Sequence, residues 1–407
     1  LLIGPKTTSS RNIRTKLSSF YYICKHCTKP KNMNVVIKEV NTRKRLYTFI
    51  HYPEKLYKGN KYWVPALIGD EYDAFNPKKN AAYDFCISKQ WLAYDEKNNV
   101  VGRVAGIINR KSNEIRNSKT IRFGWFDFID NADVIKALIN TVEEWGKSYG
   151  MDTIIGPFGF SDMDKEGLLV EGFDKLAPFT TLYNYPYYEP RLKELGFEVG
   201  AQWDQKLIRV PDSVERLDRM SNLISEKYGL HLLHAKNTRA LVKKYGMALF
   251  HMYNETFAPL YEFTPLTDRQ IKSYLNIYAP ILDVDFVCVV ADAEDKIVGF
   301  AFCVPSLAKA VKKSRGHLLP FGIFRILHAL KKNDTLEALM IGILPEYQDK
   351  GAFVPMFQYL LGSLKRRNIK WLITNPQLDD NVKVQNLFNK YDHSQYMLRR
   401  SYTKRIQ

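Results

Sequence analysis

Between Leu336 and Arg367 the chain sets out residue types suited to gripping an anion. Leu336, Ala338, Met340 and Ile343 belong to an apolar run that predicts a buried strand. Pro345, which has no N–H to donate, ends that run. Gln348, Asp349, Lys350, Gly351 and Ala352 follow as a polar turn, and a helical period runs from Val354 to Lys365. A phosphate-holding turn needs a residue without a Cβ, so that backbone can come close. It also needs a helix start, whose N–H groups and dipole favour negative charge. This turn has both, which makes it a candidate pyrophosphate cradle. Ordinary strand-to-helix turns use the same residues, so the rest of the chain must decide.

The elements that would position such a turn need a sizeable protein, and this one has 407 residues, enough for two domains. Hydrophobic residues make up 45% and aromatics 13%, which excludes a largely disordered chain. Sixty Lys and Arg against 43 Asp and Glu leave a net charge of +17, which points to an anionic partner: nucleic acid, a phosphorylated cofactor or an acidic membrane surface. Basic residues interleaved with aromatics do not cluster as nucleic-acid binding requires, so no nucleic-acid partner is expected. Five cysteines give no disulfide framework and suit a reducing, cytoplasmic setting. Cys24 and Cys27, with His26 between them, lack the second pair of a zinc site, and no metal is expected. Residues 1–32 are basic and rich in Ser and Thr, and are read as a disordered or non-native leader before Met33. No run approaches the length of a membrane span.

From Gln90 onward the pattern of strands and helices runs twice. In the first half, Trp91–Tyr94 and Val100–Ile108 predict a hairpin and Ile121–Phe128 a third strand. Asp130 and Asn131 then cap a helix over Ala132–Ser148, and Thr153–Ile155 is a short buried strand. A helix over Tyr187–Leu195 and a strand from Phe197 complete it. In the second half, Phe286–Ala291 and Ile297–Val304 form the hairpin, and the Leu336 strand leads into the helix after Gly351. Trp371–Thr374, a helix over Asn381–Tyr391 and a strand over Met397–Ile406 close it. This reads as an α/β (α+β) protein of two tandem units, 33–210 and 211–407, with mixed, mainly antiparallel sheets flanked by helices.

With that order in place, the second half resembles the GNAT superfamily of acyl-CoA-binding acetyltransferases. The superfamily's Gln/Arg-x-x-Gly-x-Gly/Ala is matched by Gln348-x-x-Gly351-x-Phe353 except at its last position. A second signature, Asn with an aliphatic at plus three and Leu-Tyr at plus six and seven, corresponds to Asn381, Val384, Leu387 and Phe388. A fuller resemblance is to double-domain bacterial proteins in which a GNAT-like C-terminal half follows a degenerate copy. Their phrases occur here as Gly156-Pro157-Phe158, Glu166 to Asp174, Tyr183 to Tyr188, Phe263 to Thr267, Leu319 to Gly322 and Leu378 to Asn381. One branch of that group includes bacterial ceramide synthases, which acylate a sphingoid base from acyl-CoA. The resemblance covers Met33 to Gln407.

It implies an acyl-CoA-dependent N-acyltransferase acting on an amine, with acyl-CoA or acetyl-CoA as co-substrate. Gln348, Lys350, Gly351, Ala352 and Phe353 would hold the pyrophosphate, Ile341 and Ile343 would offer amides to the thioester carbonyl, and Asn381 belongs to the same site. Phe353 stands where Gly or Ala is usual, so its ring either crowds the cradle or packs inward. Phe388 replaces the tyrosine that would protonate the leaving thiolate; Tyr391, three residues on, is a substitute. Otherwise the thiolate leaves unprotonated, which a thiol pKa of about 8.5 tolerates. Glu262 and Glu337 are the candidate bases, with Glu255 and His317 behind them. The first half has no glycine turn, and Asp130 would repel phosphate. It is expected to bind no CoA and to line the acceptor site through Tyr183, Tyr187 and Tyr188.

The stretch Lys309–Lys332 is longer than a turn requires. A helix there would set Ile323, Ile326, Leu327 and Leu330 on one face, and Arg325, His328 and Lys332 on the other. Such a helix suits an anionic membrane surface and peripheral attachment to the inner membrane, or else packs on its own domain. The leading acceptor is therefore a lipid amine. The alternatives are a small-molecule N-acetyltransferase and a pseudo-acyltransferase with a membrane-surface or scaffold role.

Overall fold

A computed structural model describes residues 33–212, 215–389 and 391–407; the leader, with Cys24, His26 and Cys27, lies outside them. The first half contributes strands β1 (Val36–Glu39), β2 (Cys86–Tyr94), β3 (Val100–Asn109), β4 (Thr120–Phe128), β5 (Thr153–Gly156), β6 (Leu168–Glu171) and β7 (Glu198–Arg209). The second contributes β8 (His231–Leu232), β9 (Val287–Ala291), β10 (Ile297–Pro305), β11 (Thr335–Ile343), β12 (Trp371–Ile373), β13 (Gln377–Leu378) and β14 (His393–Arg405). All of them join one mixed sheet, in the order β1-β2-β3-β4-β5-β14-β7-β12-β11-β10-β9-β8, with β6 and β13 attached at β14 and β7. Most neighbours are antiparallel; β4–β5 and β11–β12 are parallel.

The two halves exchange their last strands. β7, from the first half, pairs with β12 of the second, and β14, from the second, pairs with β5 of the first. β7 and β14 then pair with each other over most of their length, from His393↔Ile208 to Thr403↔Glu198. The division at residue 210 thus separates two sequence repeats, while the sheet runs through both, and Met33–Gln407 forms one compact unit.

Helices cover the sheet where their apolar spacing requires it. Val134, Ile135, Leu138, Ile139 and Val142 bury one stripe of the helix Ala132–Lys147. Phe353, Met356, Phe357, Leu360, Leu361 and Leu364 do the same for Phe353–Arg366. In the insert, the helix Gly322–Lys331 buries Ile326, with Leu330 packed against a cluster that includes Tyr57 and Leu169 of the first half. The predicted apolar face is therefore divided. Leu318, Leu319, Phe321, Phe324 and Leu327 stay 40–78% exposed, because positions 321, 324 and 327 follow an i, i+3 line opposite Ile326. No helix among the described residues is long and apolar enough to cross a membrane.

Candidate active site

The site is a gap between two parallel strands. β11 and β12 pair at Thr335↔Trp371, Leu336↔Leu372 and Glu337↔Ile373, and the ladder stops there. Leu339 is an extra residue against β10, between the pairs Ala338↔Cys303 and Met340↔Phe302. Such a bulge sharpens the twist of the strand and turns it from its neighbour. From Ala338 to Ile343 one side of β11 therefore faces a cavity of about 550 Å³, whose opposite wall is Asn375 to Leu378. Alternate backbone amides of a strand left without a partner point into such a gap and are free to meet a ligand carbonyl.

At its open end the cavity meets the glycine turn. Gly351 has φ +78, and a Cβ added there would lie 3.1 Å from Ile224 Cδ1, so only glycine sits without strain. No side chain caps the helix Phe353–Arg366. The Gly351 and Ala352 amides make only long backbone bonds, 3.3 Å to Gln348 O and 3.4 Å to Tyr347 O. Gln348 Nε2 donates to Ile343 O at 3.1 Å, which ties the turn to the end of β11. Lys350 Nζ lies 4.1 Å from the centre of the Tyr347 ring, and Lys383 borders the cavity beside Asp349. Phe353 turns inward, its ring stacked on Phe357 at 5.1 Å and edge-on to Phe388 at 5.9 Å. The cradle is therefore bordered, not filled, by that ring, and the residues fit a diphosphate.

The corresponding gap in the first half is closed. β4 and β5 also part after three pairs, ending at Arg122↔Ile155. There the next residues fold back: Phe158 N–H donates to Phe123 O at 2.8 Å. Any Cβ on Gly124 would come within 2.2 Å of Phe158 O, so the two backbones leave no slot between them. Asn131 Oδ1 accepts from Asp133 N and Val134 N, occupying the amides that would have met phosphate. Asp130 is held by Arg191 at 2.9 Å.

The structure distributes the sequence candidates unevenly. Ile341, Ile343, Gln348, Phe353 and Asn381 line the cavity; Lys350, Gly351 and Ala352 form its adjoining turn. Glu337 lies on β11, 2% exposed, with Ser306 Oγ donating to its Oε1 at 2.5 Å and its Oε2 unpartnered. Burial pushes its carboxyl up to about 7, against the pull of Ser306 and nearby Lys165. It sits next to Ala338 but does not line the cavity. Glu262 is committed elsewhere: Arg122 grips it at 3.0 Å, Arg116 lies at 3.7 Å, and both arginines belong to the first half. It fastens the halves together. Tyr391 is half-buried with its ring 4.7 Å from Phe357, outside the cavity lining. Glu255 is exposed, and His317 lies beside His51 and Glu54, neither bordering the cavity.

The tyrosines expected to line the acceptor site do not reach it. Tyr188 is fully buried, with Tyr57 OH at 3.1 Å, and Tyr187 OH donates to Phe128 O at 2.5 Å. Tyr183 OH donates to Phe173 O at 3.0 Å. Their hydroxyls satisfy the first half's own core, as buried phenols must.

What the first half does place in the cavity is a loop. Asp162, Asp164 and Glu166 line its inner end, facing Tyr253, Phe257 and Phe263 of the second half. Tyr253 OH donates to Asp162 Oδ2, while Asp162 Oδ1 is buried without a partner. Asp164 Oδ2 accepts from Phe160 N at 2.8 Å and Ser161 N at 3.2 Å, which fixes the loop. Glu166 makes no hydrogen bond to any described residue. Burial pushes Asp162 and Asp164 up to about 6 and Glu166 well above the usual carboxylate range. On the far wall Gln377 is 4% exposed with both amide atoms unpartnered. Sequence reasoning missed these groups. Their signal was three acids alternating over 162, 164 and 166, which a surface turn would show equally.

The tandem GNAT protein from the clavulanic acid biosynthesis pathway superposes over 92% of this chain and 99% of its own, with a TM-score of 0.53 and 10% identity. The fold is that of a tandem GNAT protein. A GCN5-related glucosamine N-acetyltransferase region of a fungal multi-domain β-N-acetylglucosaminidase superposes over 92% of this chain and 38% of its own, with a TM-score of 0.55 and 10% identity. By sequence, this chain is 26% identical to Protein YghO of Escherichia coli (strain K12) over 373 residues, 89% of this chain and 93% of that one. It is 24% identical to the bacterial ceramide synthase of Caulobacter vibrioides (strain NA1000 / CB15N) over 336 residues, 80% and 85% of the two chains. No family model matches.

Proposed function

We propose that this protein is an acyl-CoA-dependent N-acyltransferase whose acceptor is a lipid amine of the sphingoid-base kind. The observation that carries the reading is the asymmetry of the two gaps. One is open, bulged and ends on a strain-free glycine turn; its copy is shut by the Phe158–Phe123 backbone bond. Gln348, Lys350 and the amides from Gly351 to Phe353 would hold the CoA diphosphate, and the β11 amides near Ile341 would polarise the acyl carbonyl. CoA supplies the activated acyl group as a thioester. The chain's own contribution is orientation, exclusion of water and stabilisation of negative charge on that carbonyl oxygen.

The likeness to a bacterial ceramide synthase, 24% identical over 80% of this chain, supports a lipid acceptor. So does the insert, where Leu319, Phe321 and Phe324 are 65–78% exposed beside Arg315, Arg325, Lys331 and Lys332. An apolar tip rimmed by cations suits an anionic membrane surface. The direct test incubates the protein with acyl-CoA of several chain lengths and sphinganine, and analyses the lipids by thin-layer chromatography. Formation of the amide is expected; acetylation of soluble amines without any lipid product would contradict it.

A further inference from the structure

We propose that the loop Ser161–Gly167, contributed by the closed first half, is the binding site for the acceptor's ammonium group, with Glu166 as the proton acceptor and Asp162 as its second charge partner. The proposal rests on the acyl-transfer reading above for its reaction, but the binding site stands on separate observations.

The first is placement. The loop leaves β5, closes the first half's gap at Phe158, and continues into the open cavity of the second half, where Asp162, Asp164 and Glu166 line the inner end. The residues that shut one site thus furnish the other. The second is vacancy of hydrogen-bonding capacity. Asp162 Oδ1 is buried and unpartnered, Glu166 is hydrogen-bonded to no described residue, and Gln377 borders the same cavity with neither amide atom bonded. A buried polar atom without a partner costs about 1–3 kcal/mol, so a wall carrying several is built to receive a polar ligand. The third is sign. Asp162, Asp164 and Glu262 act on Glu166 against Arg122, which is already paired with Glu262, and the loop itself carries one further buried cation, Lys165. Burial holds these acids toward their neutral forms, and an ammonium entering here draws Glu166 to its carboxylate, releasing that proton to water.

Among the described residues the ligand atoms that lie within 4.8 Å of one another belong to His51, Glu54 and His317, not to this loop. The surrounding wall is apolar, with Phe257, Leu260, Phe263 and Met340, so the cation that fits is a primary ammonium on an apolar chain. Gln377 would read a hydroxyl or amide beside it.

In the reaction, one N–H bond of the ammonium breaks and its proton passes to the Glu166 carboxylate, freeing the nitrogen lone pair. That nitrogen bonds the acyl carbon as the carbon–sulfur bond breaks, with the electron pair leaving on sulfur. The second proton lost by nitrogen goes to the thiolate, and Glu166 returns its proton to water. Asp164, whose Oδ2 is taken by two backbone amides, is a positioning residue.

The test uses calorimetry with octylamine and octanol as probes, each on the full chain, with CoA titrated into the same samples. Wild type is expected to bind octylamine at least ten-fold more tightly than octanol. D162N/E166Q should lose at least five-fold of that preference while its octanol and CoA affinities stay within two-fold. E166Q alone, which removes no hydrogen bond of the fold, should lose part of the preference and guards against a double variant that fails to fold. An unchanged amine preference in E166Q and the double variant, or no preference in wild type, overturns the proposal. An amine preference that depends on these acids in a protein that binds no CoA would uphold the site and reject acyl transfer instead.

Discussion

At the scale of single residues, the roles divide by what each side chain is already bonded to. Glu262 is spent on Arg122 and Arg116, so it cannot also serve as a base. Removing one partner of such a buried pair leaves the other charge stranded. Glu262→Gln should therefore cost about 3 kcal/mol of stability in urea unfolding, with the pH profile of activity unchanged. Tyr391 packs against Phe357 outside the cavity, and Tyr391→Phe should alter turnover by less than about two-fold, an effect under 0.5 kcal/mol on the barrier. Gly351→Ala forces a side chain into a left-handed backbone and against Ile224. It should weaken CoA binding while costing about 1–2 kcal/mol of stability. Asp162, Asp164 and Glu337 hold their protons more tightly in the folded chain than in the unfolded one. Their contribution to stability is complete below about pH 4 and is lost as pH rises through 6 to 7. Glu337→Gln should accordingly raise stability relative to wild type more at pH 8 than at pH 5, measured by urea unfolding. Equal effects at the two pH values would contradict the burial argument.

At the scale of elements, most of the fold was legible from periodicity. The hairpins, the Asn131 cap, and the helices over 132–147 and 353–366 follow from apolar spacing and turn chemistry that act locally. The glycine turn was legible for the same reason, because its requirement is a backbone angle at one residue. What could not be read was anything that depends on two distant segments meeting. The bulge at Leu339 is defined against β10, and the closure of the first gap is one bond between Phe158 and Phe123. Tyr183, Tyr187 and Tyr188 look like a binding wall in sequence. In the fold their hydroxyls meet Phe173, Phe128 and Tyr57. The insert was half legible: its amphipathic period is real, but which stripe meets the domain depends on Tyr57 and Leu169, far away in sequence. The exposed stripe makes its own prediction. Leu319→Asp/Phe321→Asp/Phe324→Asp should abolish co-sedimentation with phosphatidylglycerol vesicles, while CoA binding stays intact. Retained sedimentation would assign the stripe another role.

At the scale of the whole molecule, the exchange of β7 and β14 makes the two halves mutually dependent. The first half alone would lack β14, which pairs with β5 and β6, and the second alone would lack β7, which pairs with β12 and β13. Truncation before His393 should therefore destroy the cooperative unfolding of both halves together, not of the second alone. This dependence also explains how a half whose own gap is shut can line the open cavity: the shared strands hold its acidic loop at a fixed place. One gap is open and the other is shut, so a single cofactor site per chain is expected. The number of CoA molecules bound per chain, measured by calorimetric titration, tests it most directly. One CoA per chain, with binding weakened by Gly351→Ala, is the predicted result; two per chain, or none, would contradict it.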